Sequence, residues 1–185
     1  MAAGKRAMSG PSIYVDESKA KDYLLVTAAI VADDLAPCRR AVQALRLPGQ
    51  PRLHMKHEND SRKRLMLDTF ARLDARVTIY RARRGLGSEV YRRGRCLEEL
   101  IANIGPAGGR LCLERDETLV ARDKQRIIEA TRRAGNASTL EYWHESAASE
   151  PLLAIPDAVG WAWARGGDWR RRAQATIADL IEITS

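Results

Sequence analysis

Three acidic residues stand where an apolar segment ends or a late helix begins, and carboxylates so placed can bind divalent cations. Asp16 ends a short β-type run, Glu114 ends a second apolar run, and Asp157 lies early in a late helical segment. Carboxylates from neighbouring strand ends and one helix can hold two metal ions roughly 4 Å apart, which activate water and stabilise the leaving oxygen of a phosphodiester. Hard oxygen ligands suit Mg²⁺ or Mn²⁺. The pattern therefore predicts a two-metal site at Asp16, Glu114 and Asp157.

Strand alternation determines which neighbouring acids can join this site. Glu17 points to the opposite face from Asp16, whereas Asp116 shares a face with Glu114 and is either its rival or a further metal ligand. Each acid also has an ordinary alternative role. Asp16 and Glu114 can be solvated strand ends, and Asp157 can complement the dipole of its helix.

Apolar periodicity indicates the elements that must position these acids. We predict a mixed five-stranded sheet flanked by helices, parallel where helices cross over, which is an α/β fold. This domain spans residues 12–185 and follows a flexible tail at 1–11. Strands are predicted at 13–16, 23–32, 75–83, 110–116 and 138–143. Helices are predicted at 35–45, 61–73, 88–104, 118–133 and 151–165. A last helix is predicted to begin at its cap, Asp168, and to include Ile177, Leu180 and Ile181.

The late helix has a face of small residues on which Asp157 lies. Gly160, Trp161 and Ala164 share this face, so it can lie close against another element. Pro156 within this segment predicts either a kink or a later start of the helix.

The composition is that of a globular, basic chain. The 185 residues are 45% hydrophobic and carry a net charge of +7, which makes a polyanionic partner such as nucleic acid plausible. No apolar run approaches the ~20 residues of a membrane span, and the N-terminus lacks the apolar core of a signal peptide, which predicts a cytoplasmic protein without membrane contact. The three cysteines have neither the even number nor the spacing of a disulfide framework or a zinc ribbon.

Four segments together resemble the domain of unknown function 3800 family. They are the strand Tyr14-Val15-Asp16-Glu17-Ser18, the loop Leu53-His54-Met55-Lys56, the strand that ends at Glu114, and the helix that carries Asp157. The resemblance spans about residues 12–165 and implies a ribonuclease H-like fold. The chain departs from the family pattern at Lys19, where Gly is usual, at Glu114, where Asp is usual, and at Ala154 and Pro156, which replace Gln and Ala.

The resemblance also implies roles for the loop residues. His54 and Lys56 would lie beside the carboxylates and contact a phosphate or a nucleophile; a solvated loop is the alternative. The spacing of His54, His57 and Glu58 matches neither His-Glu-x-x-His nor a Cys/His finger, so zinc is not indicated. His144, after the fifth predicted strand, is a candidate proton shuttle at the same sheet edge.

These features favour a metal-dependent nuclease that acts on DNA or RNA, with Asp16, Glu114, Asp157, His54 and Lys56 at its site. Two alternatives share the fold: a nucleic-acid-binding protein without catalysis, and a protein-interaction subunit, for example of a defence or toxin system. In the second alternative a homodimer or a protein partner contacts the tryptophan-rich C-terminal helices.

These tryptophans have two further possible roles, which are base stacking and core packing. No groove-reading motif is present. The four tryptophans are Trp143, Trp161, Trp163 and Trp169.

Overall fold

A six-stranded mixed sheet is the central feature of the protein, in a computed structural model that describes residues 10–184. The strand order is β5-β4-β1-β2-β3-β6; β2 is antiparallel to β1 and β3, and the other neighbours are parallel. The predicted α/β class with a mixed sheet is confirmed, but the predicted number of five strands is wrong. The predicted tail lies almost entirely outside the described residues. The strands are β1 Ser12–Ser18, β2 Tyr23–Ile30, β3 Arg76–Ala82, β4 Gly109–Glu114, β5 Leu140–Glu145 and β6 Ile177–Glu182.

Both faces of the sheet are covered by helices, which explains why β1, β2 and β4 read as nearly continuous apolar runs. One face packs against α1, α2, α5 and α6, and the other packs against α3 and α4. In β1, Tyr14 belongs to the first layer and Val15 to the second, as alternation requires. The helices are α1 Ala32–Ala44, α2 Asp60–Phe70, α3 Glu89–Ile104, α4 Val120–Ala134, α5 Ala154–Arg165 and α6 Gly167–Gln174.

Several helix starts differ from the predicted ones because other residues provide the cap. Asn59, not Ser61, caps α2, since its side chain accepts a hydrogen bond from the Arg62 backbone N–H at 3.0 Å. At α5 a 3₁₀ turn over Pro151–Leu153 precedes the helix, so Pro156 falls in the first turn, where its missing N–H breaks no helical hydrogen bond. The late start of this helix, rather than a kink, is what the structure shows.

The end of the chain is the main correction to the predicted elements. The helix that Asp168 was expected to cap ends at Gln174, and Ile177–Glu182 forms the edge strand β6 alongside β3. Burial alternates along β6, so that Ile177 and Ile181 are partly covered whereas Leu180 is 41% exposed. Local periodicity could not separate the two states, because a short run of Ile and Leu residues suits a half-covered edge strand as well as one helical turn.

Two further features bear on the class of protein. No helix among residues 10–184 is long and apolar enough to cross a membrane. Cys38, Cys96 and Cys112 are buried free thiols, as the odd number and wide spacing indicated.

Candidate carboxylate site

The first two acids of the site meet at the ends of neighbouring parallel strands. Val15 of β1 lies opposite Leu113 of β4, so the residues that follow, Asp16 and Glu114, stand side by side at the same sheet edge. Alternation directs both side chains to the face that α5 covers. Their carboxyl groups lie within hydrogen-bonding distance of each other.

This pairing changes the acidity of Asp16. Burial disfavours the charged form of its carboxyl group, and the hydrogen bond to Glu114 and the negative charges of Asp157 and Glu114 act in the same direction. The pKa of Asp16 is therefore raised well above its usual value. A cation placed between these groups would relieve the repulsion, which is how carboxylate metal sites stay ionised.

Asp157 reaches the site from the first turn of α5. Its Oδ2 accepts a hydrogen bond from the Met55 backbone N–H at 2.7 Å, and the Nδ1 of His54 lies 3.9 Å from the same oxygen. Burial raises the pKa of Asp157; the Met55 N–H and His54 oppose this rise, and the charge of Glu114 adds to it.

The close approach of α5 to the sheet depends on Gly160. A Cβ atom at this position would lie 3.2 Å from Cγ2 of Val26 and 3.6 Å from Cβ of Ser18. The small-residue face predicted for this helix thus packs on β1 and β2, one turn after Asp157. The glycine allows the helix axis to lie near the strand end that carries Asp16.

A polar cavity of about 460 Å³ opens at this sheet edge. Asp16 and Glu114 line it, whereas Asp157 is not among its lining residues. Arg52 also lines it, with Nη1 2.9 Å from Oε1 of Glu114, and Arg93 contributes a second guanidinium. Sequence reasoning singled out neither arginine.

The remaining predicted site residues are Asp116, His54 and Lys56. Asp116 lines the cavity, but its Oδ1 accepts hydrogen bonds from the backbone N–H and hydroxyl of Thr118 at 3.0 and 2.6 Å, which lower its pKa. His54 and the exposed Lys56 lie in the loop beside Asp157, where the Nδ1 of His54 accepts the Lys56 backbone N–H at 3.3 Å. The structure thus brings the loop to the α5 side of the acids.

The donor set has the chemistry of a Mg²⁺ or Mn²⁺ site, since it consists of carboxylate oxygens. In the conformation of residues 10–184, however, no group of three His, Cys, Asp or Glu side chains stands at metal-binding distances. Asp16 and Glu114 contact each other, and Asp157 acts on Asp16 through its charge while it accepts the Met55 N–H. Binding of a metal ion by all three would therefore require rotation of side chains.

Glu145 is an acid that sequence reasoning did not select. It pairs in register with Glu114 across β4 and β5 and, by alternation, points to the same face. Its Oε1 accepts the Ser146 backbone N–H at 2.9 Å. The predicted fifth strand ended at Trp143; had it been extended by two residues, alternation would have identified Glu145.

His144 lies on the opposite face of β5 from this row of acids. Its Nε2 is 3.2 Å from Oδ2 of Asp123 on α4. Arg93 binds the same carboxylate through two nitrogens at 2.7 and 2.6 Å and also contacts Glu17 and the hydroxyl of Tyr23. Glu17 therefore points away from Asp16, as predicted, into a buried ion network. His144 belongs to that network, so the predicted approach to the carboxylates is not what the structure shows.

Comparison with known proteins leaves the family and the function of the chain as proposals. No protein-family model matches the chain, and no curated protein is significantly similar to it. The resemblance to the domain of unknown function 3800 family is therefore carried by the motif residues around Asp16, His54, Glu114 and Asp157 alone.

Proposed function

We propose that the protein is a metal-dependent nuclease of the ribonuclease H-like fold that hydrolyses phosphodiester bonds of DNA or RNA. The observation that carries the proposal is the contact between the carboxyl groups of Asp16 and Glu114, with the charge of Asp157 beside them. Carboxyl groups crowded in this way bind cations or protons. Two strand ends and one helix provide them, as the two-metal mechanism requires.

The order of the first five strands supports the fold assignment. Strands β1, β2 and β3 form an antiparallel meander, and β4 and β5 add to the other side of β1 in the parallel direction. This is the strand order of ribonuclease H-like domains. In it the first and fourth strands are neighbours, so that acids at their ends can act together. Strand β6 extends the sheet at the edge remote from the acids.

In this proposal Asp16, Glu114 and Asp157 would hold Mg²⁺ or Mn²⁺, with Asp116 as a further ligand. When bound there, these ions would supply Lewis-acid activation of water and stabilisation of the leaving oxygen. Met55 orients Asp157 through its backbone N–H. The positive charge of Arg52 in the cavity, and that of the exposed Lys56 in the loop beside Asp157, attract the substrate phosphate. His54 lies close enough to Asp157 to orient it further.

A second candidate is a nucleic-acid-binding protein of the same fold without catalysis. The ion pair between Arg52 and Glu114 favours it, because a guanidinium already compensates one of the acids. The net charge of +7 suits either candidate.

The test is cleavage of end-labelled single-stranded, duplex and hybrid DNA and RNA with Mg²⁺ or Mn²⁺ and with EDTA. We expect cleavage by the wild-type protein to be lost in EDTA and reduced at least about 100-fold in Asp16→Asn, since a change of about 3 kcal/mol in transition-state stabilisation has this effect. Glu117→Gln is the matched control. Glu117 is 81% exposed at the same cavity, and its one ion pair among residues 10–184 is with Arg115 at 3.9 Å.

Equal loss of cleavage in Glu117→Gln and Asp16→Asn would contradict the assignment of the site. Cleavage that persists in Asp16→Asn would remove Asp16 from it. If no substrate is cut and calorimetry detects no binding of Mn²⁺, the nuclease proposal is wrong and the non-catalytic candidate replaces it.

A further inference from the structure

Two tryptophans and two cations lie together on α2, α5 and α6 in a patch that we call the aromatic track: Trp161, Trp169, Lys63 and Arg64. Arg64 is exposed, whereas the side chain of Lys63 is 11% exposed. The indole rings of Trp161 and Trp169 meet edge to face, with their centroids 5.4 Å apart. The ammonium group of Lys63 lies 4.8 Å from the centroid of Trp161, and the guanidinium of Arg64 lies 5.6 Å from that of Trp169. Both rings are half-buried and pack against the core on one side.

The aromatic track begins next to the carboxylate site. Trp161 follows Asp157 by four residues on α5, so the two side chains share a helix face about 6 Å apart along the axis. The loop with Lys56 precedes α2, which carries Lys63 and Arg64. The aromatic track and Asp157 therefore share α5, and the loop with Lys56 leads into the helix that carries the two cations.

The surroundings of the aromatic track are positively charged. Together α2 and α6 carry six basic residues against three acidic ones. Asp60 lies 3.6 Å from Lys63, and Asp168 forms its ion pairs with Arg171 and Arg172. The charge of Arg64 also acts on Asp168 and helps to lower its pKa, but Arg64 forms no ion pair among the described residues 10–184. The next tryptophan has the same arrangement, since the guanidinium of Arg170 lies 4.7 Å from the ring of Trp163.

Aromatic rings combined with cations match the chemistry of a single nucleic-acid strand. Unpaired bases stack on the rings, and the backbone phosphates bind the cations. A duplex hides the faces of its bases, so it can use only the cations. A protein partner fits less well at Trp161. Tryptophan and arginine are common at the centres of protein interfaces, but lysine is depleted there, and Lys63 lies over the ring of Trp161.

We propose that the aromatic track binds single-stranded nucleic acid, with bases stacked on Trp161 and Trp169 and phosphates bound to Lys63 and Arg64. Its role in guiding a substrate strand to Asp16 and Glu114 rests on the proposed nuclease function; the binding itself does not. Stacking of a base displaces each cation from its ring, which leaves that cation free to bind a phosphate.

The first experiment measures binding of fluorescent single-stranded DNA, single-stranded RNA and the corresponding duplexes to the full chain in EDTA, by anisotropy. We expect tighter binding of single strands and at least about tenfold weaker binding by the double variant Lys63→Ala/Arg64→Ala. Its salt dependence should fall by about 1.4 in the slope of log K against log salt, since each phosphate contact contributes about 0.7. The matched control is Lys124→Ala/Arg132→Ala, which removes two exposed charges from α4 on the other face of the sheet; its affinity should change less than about threefold.

The second experiment tests stacking directly, and its result does not depend on small losses of stability in the variants. Quenching of tryptophan fluorescence by the bound strand should decrease in Trp161→Phe and in Trp169→Phe. Trp143→Phe is the control, because Trp143 lies on β5 beneath Arg110 and outside the aromatic track; its quenching should match the wild type.

The outcomes are distinguishable from those of the cleavage test. Equal binding of duplex and single strand, or equal effects of the track and control variants, overturns the proposal. So does self-association that Trp169→Ala abolishes while nucleic acid is not bound, because the aromatic track would then be a protein interface. Single-strand binding without cleavage supports the aromatic track and rejects the nuclease. Cleavage that is unchanged in the track variants supports the nuclease and rejects the role of the track in guiding the substrate.

Discussion

At the residue scale, Asp16 shows how a functional group can reduce stability. Its raised pKa means that the folded protein prefers the protonated carboxyl, whereas the unfolded chain ionises at the ordinary value. Between these two pKa values the native state binds more protons, so the free energy of unfolding falls as the pH rises. The crowding of carboxyl groups at the ends of β1 and β4 thus disfavours the ionised form of Asp16 in the folded protein.

We therefore predict that Asp16→Asn stabilises the metal-free protein. At neutral pH in EDTA the free energy of unfolding should rise by about 0.5–2 kcal/mol, which is the usual gain from a single stabilising substitution. The difference should vanish near pH 3.5, below the ordinary pKa of about 3.9, where Asp16 is protonated in both states. Urea denaturation at the two pH values measures this. Lower stability of Asp16→Asn than of Glu117→Gln at neutral pH would contradict the prediction.

At the element scale, two contacts determine where the acids stand. One is the contact of α5 with β1 and β2 at Gly160. The other is the buried network in which Arg93 of α3 joins Asp123 of α4 to Glu17, the neighbour of Asp16. Burial would raise the pKa of Asp123, but the hydrogen bonds from Arg93 and His144 outweigh burial and hold the pKa below its usual value.

The first prediction at this scale concerns Gly160. Gly160→Leu should lower the free energy of unfolding by roughly 1–3 kcal/mol, because extra methylene groups must displace Val26 or move α5. Displacement of α5 also moves Asp157, so cleavage should fall with stability. Gly160→Ala is the control, since its Cβ needs a shift of only a few tenths of an ångström and the better helix propensity, about 1 kcal/mol, offsets it. Equal behaviour of the two variants would show that α5 has free space there.

The second prediction concerns Arg93. Arg93→Met should lower the free energy of unfolding by about 3–5 kcal/mol at neutral pH, because it leaves the buried carboxylate of Asp123 without its guanidinium partner. The lowered pKa of Asp123 stabilises the fold above the unfolded-state value and is lost as the pH falls through the folded value. The cost should therefore shrink in acid.

Urea denaturation as a function of pH is the measurement, with Arg126→Met as the control. Arg126 lies on α4, the helix that carries Asp123, but it is 43% exposed and pairs with Glu98 at 3.2 Å, so at most about 1 kcal/mol should be lost. A cost of Arg93→Met within that range would mean that water reaches the network.

At the scale of the whole molecule, β6 is the edge strand of the sheet on the side away from the acids. It pairs along β3 and is followed by the buried Ile183. Without it, the backbone N–H and C=O groups of β3 would form an open edge that can pair with another chain. Strands β2 and β3 lie between β6 and the strand that carries Asp16, so the role of β6 is separable from the proposed chemistry.

We predict that a chain ended at Thr176 is less stable by at least about 2 kcal/mol, the contribution of one buried Ile side chain, and associates more than the full chain. Chemical denaturation and size-exclusion chromatography with light scattering are the measurements. Leu180→Ser, at an exposed position of β6, should change stability by less than about 0.5 kcal/mol. An unchanged denaturation midpoint in the truncated chain would show that β3 is stable as an edge.

The sequence by itself determined the features that depend on neighbouring residues. Apolar periodicity indicated the α/β class and the first five strands, and alternation separated Asp16 from Glu17, because side-chain direction within a strand is a local property. The same reasoning selected Asp157 on a helix face with Gly160. These predictions required no knowledge of which elements are neighbours in space.

The tertiary structure decided what depends on contacts distant in sequence. The register of β1 with β4 brings Asp16 to Glu114, and the pairing of β6 with β3 turns a predicted helix end into a strand. The partners of Arg52 and Arg93 and the face on which His144 lies follow from packing across the sheet. The physical reason is that local preference in a short segment amounts to a few tenths of a kcal/mol per residue, which burial and hydrogen bonding to a distant strand readily exceed.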